Sequence, residues 1–331
     1  MTRISASQFF WLLFAGRLSN CLLLPSESLH ALSVPDLLAV TALNALVLLV
    51  VWLPTRWAYR HGGVHFSMPV RVGYALLALF VLYLDVLQFG SFAARTVKTE
   101  FSVDLLTAAL VVVGLLGAMY GLEVIGRAAT VIAAVGLLIL FTFVLLLLPH
   151  MQSLCFPPAT FSGFANVLSH TVRELPRTAE VAILVVLYPS VKEKTGRAYG
   201  WFIGMTAVLT LSVCVVTTGV LGAYAGETAY PFYTAVTAAS PYVELAAAVL
   251  WLGTFFVRVV LFGTVYLEQI RRLLGERACW PAVGLGAAAL IGMVLVSENG
   301  GPWRWLTYLY IGALVLFAVA VPLMARKRRN V

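Results

Sequence analysis

The sequence concentrates ionisable side chains in one short stretch, "HTVRELPRTAE" at residues 170–180, which leads directly into the apolar run "VAILVVLYP". The stretch contains His170, Arg173, Glu174, Arg177 and Glu180. Cations and carboxylates at this spacing can pair with one another, or they can bind a small charged solute. The choice between these two roles depends on the surroundings of the stretch.

Pro176 lies in the middle of this stretch and predicts a break in any helix that contains it. Proline has no backbone N–H and its ring clashes with the carbonyl of Val172, which costs about 3 kcal/mol in a continuous helix. The preceding Leu175 is pushed toward an extended conformation. A helical segment that restarts near Arg177 would present free N–H groups and a positive dipole end, and both suit an anion.

Further charged residues lie in or near other apolar runs, and the whole set balances four cations against four anions. The set is Arg17, Asp85, Arg173, Glu174, Arg177, Glu180, Glu244 and Arg258. Ionisable residues inside a membrane are costly and either pair or mark a pathway. We therefore predict an ion-pair network of Asp85, Arg173, Glu180 and Arg258. Such a network either only holds the helices together or takes part in function, with Asp85 and Glu180 as candidate coupling groups.

The composition indicates that the apolar runs are surrounded by membrane lipid. The chain has 331 residues, of which 61% are hydrophobic and only 11% are charged, whereas a soluble domain carries about 25% charged residues. Apolar runs long enough to cross a bilayer core of about 30 Å recur along the whole chain. Helices satisfy their own backbone in lipid, so the prediction is an all-α membrane protein. The ten predicted spans are about 6–26, 33–54, 70–93, 103–120, 124–148, 164–189, 198–222, 243–270, 279–297 and 303–325.

The net charge of +8 reflects membrane topology rather than a nucleic-acid partner. Lys and Arg concentrate in the tails and in alternate connections, which is the positive-inside pattern and predicts that both termini are cytoplasmic. The terminal "ARKRR" is then expected to lie near anionic membrane lipid.

Enzymatic and metal chemistry find little support in the sequence. It contains no nucleophile elbow, no HExxH motif and no phosphate-binding loop, so we predict no enzyme and no cofactor. Its four cysteines show no CxxC pairing. His61 and His65 are four residues apart, but they lie in a Gly-containing connection where solvation is the better interpretation.

The ten spans divide into five and five, which predicts an inverted repeat of the kind found in secondary transporters. The two most polar interruptions fall at equivalent places, in the first span of each half. In the first span, "GRLSN" places Gly16, Arg17, Ser19 and Asn20 within an otherwise apolar helix. In the sixth span the interruption is the stretch at 170–180. We therefore expect broken first and sixth helices that face a shared cavity.

Three segments resemble the endospore germination permease family, the B subunits of spore germinant receptors. They are "YGLEVIGRAATVIA" at 120–133, "LLPHMQSLCFPPATFSGFANVLSHTVRELPRTAEVAILVVLYPSV" at 147–191 and "YPFYTAVTAASPYVELAAAVLWLGTFFVRV" at 230–259. Their order and spacing carry the resemblance. It departs from the family at Val243, where many relatives have a basic residue.

The resemblance implies the leucine-transporter-like fold of the amino acid–polyamine–organocation superfamily. It also implies a place in the inner membrane of a spore-forming bacterium beside A-type and C-type receptor subunits. The small germinant, often an amino acid, would bind between the broken helices. The matching positions in this chain are Ser19, Asn20, Cys21, Glu174, Leu175 and Arg177, and Arg17 is a further cation that could hold an anion.

Two functions follow from these observations. The first is a germinant-sensing subunit in which ligand binding shifts the helical bundle between two states that its partners detect. The alternative is an amino-acid secondary transporter that works by alternating access. The fold alone does not decide between them, because function depends on the site.

Overall fold

The computed structural model describes residues 3–22, 29, 32–61, 63–64, 66–96, 102–192, 195–297 and 304–324. Within these ranges the chain is helical, and the extended pairing that the structure describes is one isolated parallel bridge between Ile4 and Val191. The principal helices are α1 (Ala6–Leu22), α2 (Val34–Arg60), α3 (Met68–Thr96), α4 (Val103–Ala118), α5 (Leu122–Leu147), α6 (Phe164–Glu174), α7 (Leu184–Leu187), α8 (Thr195–Leu221), α9 (Pro231–Ala239), α10 (Glu244–Leu274), α11 (Cys279–Ser297), α12 (Arg304–Val315) and α13 (Val321–Met324).

Each predicted span contains helix. Among the described residues, α2, α3, α5, α8 and α10 are long and apolar enough to cross a membrane by length and composition. The tenth span consists of α12, a π-helical turn at Leu316–Ala320 and α13. Helix α9 lies in the connection between the seventh and eighth spans. These features describe a multi-pass helical membrane protein.

The sixth span is broken at the place that Pro176 predicts. Helix α6 ends at Glu174 and a 3₁₀ segment follows from Leu175 to Val181, inside which Thr178 has non-helical angles (φ −103°, ψ 29°). Helix α7 continues the span, and a 3₁₀ turn at Tyr188–Ser190 ends it. We call the whole unit, residues 164–190, the broken helix. Because proline removes a helical hydrogen bond and clashes with the preceding turn, the backbone cannot continue as one α-helix here.

The first span differs from its prediction at residues 16–20. Helix α1 is α-helical without interruption from Ala6 to Leu22, so the break expected at "GRLSN" is wrong at these positions. The Ser19 hydroxyl explains part of this continuity, because it donates to the Gly16 carbonyl of the same helix (2.8 Å), a local bond that helical serines commonly make. The residues at 23–26, the rest of the predicted span, lie outside the described residues.

Helix α10 lies at the centre of the bundle, where it packs against α1, α3, α4 and α5. Its contact with α4 depends on Gly114, because a methyl group there would collide with Cγ1 of Val259. Small residues allow such close approach between membrane helices.

The broken helix is attached to the start of the chain through backbone hydrogen bonds. The N–H of Ile4 donates to the carbonyl of Ser190 (2.8 Å), and the N–H of Lys192 donates to the carbonyl of Ile4 (2.9 Å). The residues before α1 are thereby joined to the end of the broken helix.

The close packing at Gly114 gives a stability prediction. Gly114→Ala should destabilise the detergent-solubilised protein by about 1–3 kcal/mol, because Val259 is β-branched and cannot easily move its methyl group away. The control is Gly204→Ala, since Gly204 has open space around it. Thermal unfolding followed by size-exclusion chromatography measures the difference, and equal melting temperatures for the two variants would contradict the packing.

Cysteine labelling provides a second check of the fold. Cys21 and Cys214 are fully buried, whereas Cys155 is partly exposed beside the exposed Leu154. Because thiol reactivity requires access, a maleimide should label Cys155 at least tenfold faster than either buried thiol in the folded protein. Mass spectrometry identifies the labelled site, with Cys155→Ser as the control. Comparable native labelling of Cys21 would show that α1 is not packed as described.

Candidate functional site

Helix α1 and the broken helix meet at the carbonyl of Arg177. Arg17 Nη1 donates to this oxygen at 3.0 Å, and Asn20 Nδ2 donates to it at 2.9 Å. The two side chains are three residues apart on α1, so they lie on the same face of the helix. One carbonyl beside the kink at Thr178 therefore accepts two donors from the neighbouring helix.

The Arg177 side chain forms an ion pair with Glu174, three residues earlier in the chain. Glu174 is buried, and its Oε2 atom has no hydrogen-bond partner among the described residues. We call Arg17, Asn20, Glu174 and Arg177 the Arg17 cluster. With all its ionisable groups charged, this cluster carries a net charge of +1, since two guanidinium groups face one carboxylate.

The other predicted ligand residues have different surroundings. The Ser19 hydroxyl is occupied by its own helix, and Cys21 Sγ lies 3.5 Å from the Thr210 hydroxyl on α8. Leu175 is partly buried and its carbonyl accepts from the Thr178 hydroxyl (2.7 Å). Arg173 and Glu244 are exposed, and Glu244 accepts a bond from the Tyr233 hydroxyl (3.1 Å). The structure therefore places Arg173 and Glu244 apart from the buried charges.

A small polar cavity lies beside Arg17, between α1, α2, α8 and the broken helix. Its volume of about 10 Å³ is close to the minimum that holds one water molecule. Four buried atoms around it have no hydrogen-bond partner among the described residues: Arg17 Nε, Thr41 Oγ1, Asn44 Oδ1 and Thr206 Oγ1. Buried polar atoms are normally satisfied, so this concentration of unpaired donors and acceptors makes the cavity a candidate binding site.

Sequence reasoning missed the residues of α2 and α8 that line this cavity. Thr41 and Asn44 are three residues apart on α2, and Thr206 and Thr210 are four residues apart on α8. Pairs of polar residues at helical spacing in apolar helices are a detectable signal. These four residues are uncharged, so a search for charged residues alone does not find them.

A second buried cluster joins three helices. Arg258 of α10 donates from Nε to Asp85 Oδ2 of α3 at 2.6 Å, and its Nη1 is ion-paired with Glu180 Oε1 of the broken helix. The same Nη1 lies 3.4 Å from the Gly16 carbonyl of α1. We call Asp85, Glu180 and Arg258 the Arg258 cluster. Its members are at most 4% exposed, and with all groups charged its net charge is −1.

Gly16 permits the approach of α1 to Glu180. A Cβ atom at this position would lie 2.9 Å from Glu180 Oε1, too close for the carboxylate to stay in place. Gly16 and Arg17 thus contact different clusters, as do Arg177 and Glu180 of the broken helix. The two clusters of opposite net charge share the same pair of backbone segments.

A larger cavity of about 290 Å³ lies between the connection of α4 to α5, the end of the broken helix and α10. Its polar side chains are Ser190, Thr264, Glu268 and Arg271. Glu268 is ion-paired with Arg271 (3.5 Å) and Arg272 (2.7 Å) of its own helix.

Metal ligands do not cluster in the described part of the chain, which contains no group of three or more His, Cys, Asp or Glu residues that could hold an ion. His61 is exposed at the end of α2. His65 lies outside the described residues.

Comparison with known proteins identifies the fold. No family model matches the chain, and no curated protein matches it. Among solved structures, the chain is similar to MHP1, a nucleobase-cation-symport-1 family transporter, in a closed conformation with bromovinylhydantoin bound. The TM-score is 0.70 at 14% sequence identity, and the match covers 100% of this chain and 80% of that chain. The chain therefore has the leucine-transporter-like fold, an all-α membrane architecture of five plus five helices, and its sixth helix is broken.

Proposed function

We propose that the protein is a secondary transporter that moves a small solute with a carboxylate group, an amino acid being the expected class, by alternating access. The fold supports transport, because the similar structure is that of a transporter with a small molecule bound. The chemistry of the solute is argued from this chain alone, because one fold carries many functions.

The observation that carries the proposal is the unpaired Nε–H of Arg17 beside the polar cavity. Arg17 is 3% exposed, and its Nε–H has no partner among the described residues. A carboxylate placed there would accept a charge-assisted hydrogen bond, which is stronger than a neutral one. The net charge of +1 on the Arg17 cluster favours an anionic group over a neutral or cationic one.

Acceptors near the same cluster suit the ammonium group of an amino acid. Asn44 Oδ1 and Glu174 Oε2 are buried acceptors without partners among the described residues. The carboxylate and ammonium ends of a zwitterion need groups of opposite kind close together, and the Arg17 cluster with its cavity provides both kinds. An apolar solute would leave all of these groups unpaired at a cost of about 1–3 kcal/mol each.

The described conformation is closed around this site, because the volume of the cavity is only about 10 Å³. Binding an amino acid requires α1 and the broken helix to separate, and the bonds from Arg17 and Asn20 to the Arg177 carbonyl join them. Alternating access therefore consists of breaking and remaking these bonds as the solute enters and leaves. We also propose, from the distribution of Lys and Arg, that both termini face the cytoplasm.

The sequence resemblance favours a second function, in which the protein is a germinant-sensing B subunit in a spore inner membrane with A-type and C-type partners. The same Arg17 site would then bind an amino acid and shift the bundle between two states without moving the solute. Saturable binding without uptake by the purified protein would favour this function over transport.

Uptake of labelled amino acids into liposomes that contain the purified protein tests the transport proposal. Arg17→Gln should reduce uptake about 10–100-fold, because it removes a charge-assisted hydrogen bond worth about 1.5–3 kcal/mol. Arg173→Gln is the control, since Arg173 is an exposed cation on the same broken helix and its loss should leave uptake unchanged. Wild-type protein that takes up none of the amino acids would refute transport. Equal effects of the two variants would refute the site.

Thr206→Val distinguishes a ligand-binding role of the cavity from a structural one. Valine has nearly the shape of threonine but lacks the unpaired hydroxyl, so thermal stability should stay the same or rise. The KM for uptake should rise about fivefold, which corresponds to about 1 kcal/mol of lost binding energy. Thr142→Val is the control, because the Thr142 hydroxyl bonds its own helix on the exposed side of α5. An unchanged KM in Thr206→Val would exclude this hydroxyl from solute binding.

A further inference from the structure

We infer that the Arg258 cluster is a proton-binding site and that Glu180 holds the proton which couples solute movement to a proton gradient. This inference rests on the proposed transport function and adds the coupling ion to it.

The charge of the cluster is unbalanced. Arg258 is a permanent cation, because arginine is not deprotonated in proteins, and it contacts two carboxylates, Asp85 and Glu180. One cation between two anions leaves a charge of −1 in a space that is at most 4% exposed. An uncompensated charge buried in an apolar bundle is expensive. The cluster therefore favours one more positive charge.

The nearest positive charge belongs to the Arg17 cluster on the same two segments, but Arg17 donates to the Arg177 carbonyl and Arg177 pairs with Glu174, so neither cation contacts the carboxylates of the Arg258 cluster. Helix α1 contributes the Gly16 carbonyl, and α10 places the ring of Phe262 5.3 Å from the Arg258 guanidinium. Tyr310 of α12 lies near all three members of the cluster, and Tyr199 of α8 lies near Glu180. Both tyrosines bring hydroxyl groups, which are neutral in the physiological range.

The geometry identifies Glu180 as the acceptor. Its Oε1 atom is paired with Arg258, whereas its Oε2 atom is buried with no partner among the described residues. A proton can bind Oε2 without displacing any neighbour. The tight approach of Gly16 to the same carboxylate favours a proton over a metal cation, which would need several oxygen ligands and space for itself.

The proposed step is the transfer of one proton to Glu180. A hydronium ion gives its proton to Glu180 Oε2 and leaves as water. The new O–H bond on the carboxylate replaces the O–H bond that broke in the hydronium ion. The net charge of the Arg258 cluster changes from −1 to 0. Arg258 remains cationic and keeps its bond to Asp85. The pair between Arg258 and Glu180 loses its ionic character, so the broken helix is held less tightly to α10. Glu180 is three residues from Arg177, so this loosening occurs beside the solute site.

Infrared spectroscopy and flux measurements on the full-length protein in liposomes test the inference together. In wild-type protein, a titration should show a neutral carboxyl band that is absent in Glu180→Gln. An inward proton gradient should drive solute accumulation in the wild type and at least tenfold less in Glu180→Gln. The control is Glu123→Gln, because Glu123 is an exposed carboxylate paired with Arg127, and it should match the wild type in both measurements.

Asp85→Asn keeps the test decisive if Glu180→Gln does not fold. Removing this carboxylate leaves Arg258 and Glu180 as a neutral pair without excess negative charge, so solute accumulation driven by the proton gradient should fall at least tenfold. A neutral carboxyl band that is the same in the wild type and both variants would overturn the proton site. Solute accumulation that does not depend on the proton gradient would overturn it as well. Absence of all transport with a Glu180-dependent band would instead refute the transport function and leave the proton site standing.

Discussion

The arrangement of this bundle depends on Arg258, a permanent cation that lies at most 1% exposed among apolar helices. A buried guanidinium must be paired, because leaving it without counter-charges costs several kcal/mol. Its two carboxylate partners come from α3 and from the broken helix. This one requirement therefore fixes how three helices lie relative to one another, and it explains why α10 occupies the centre of the bundle.

Buried charged residues give this chain a site chemistry that the fold alone does not specify. The fold is shared with a transporter at 14% identity, a level at which backbone architecture persists and site chemistry does not carry over. Here the two helices at the site carry one buried cluster with an excess of positive charge and another with an excess of negative charge. The solute and the coupling ion are inferred from that difference, while the fold contributes the helices that position the charges.

Hydropathy and proline chemistry were sufficient to predict most of the architecture. Each apolar run contains a helix, and Pro176 predicts the break because its effect is local and does not depend on neighbours. The break expected from the polar residues at 16–20 is wrong, because Ser19 and Asn20 form their hydrogen bonds without disturbing the helix. The charge balance of the apolar runs places Asp85, Glu180 and Arg258 in one predicted network together with Arg173, but which members pair depends on residues far apart in sequence, so no local pattern specifies it. Thr41 and Thr206 are likewise far apart in sequence, and only the folded structure shows that both line one cavity.

The backbone pairing of Ile4 with Ser190 and Lys192 has a mechanical consequence. It ties the residues just before α1 to the end of the broken helix, while Arg17 and Asn20 tie the last two turns of α1 to the kink. In the described, closed conformation, these two attachments at separate heights keep the two elements from sliding past one another. If the bonds to the Arg177 carbonyl open, the pairing at Ile4 still holds the other end, so α1 and the broken helix would separate by hinging near Ile4.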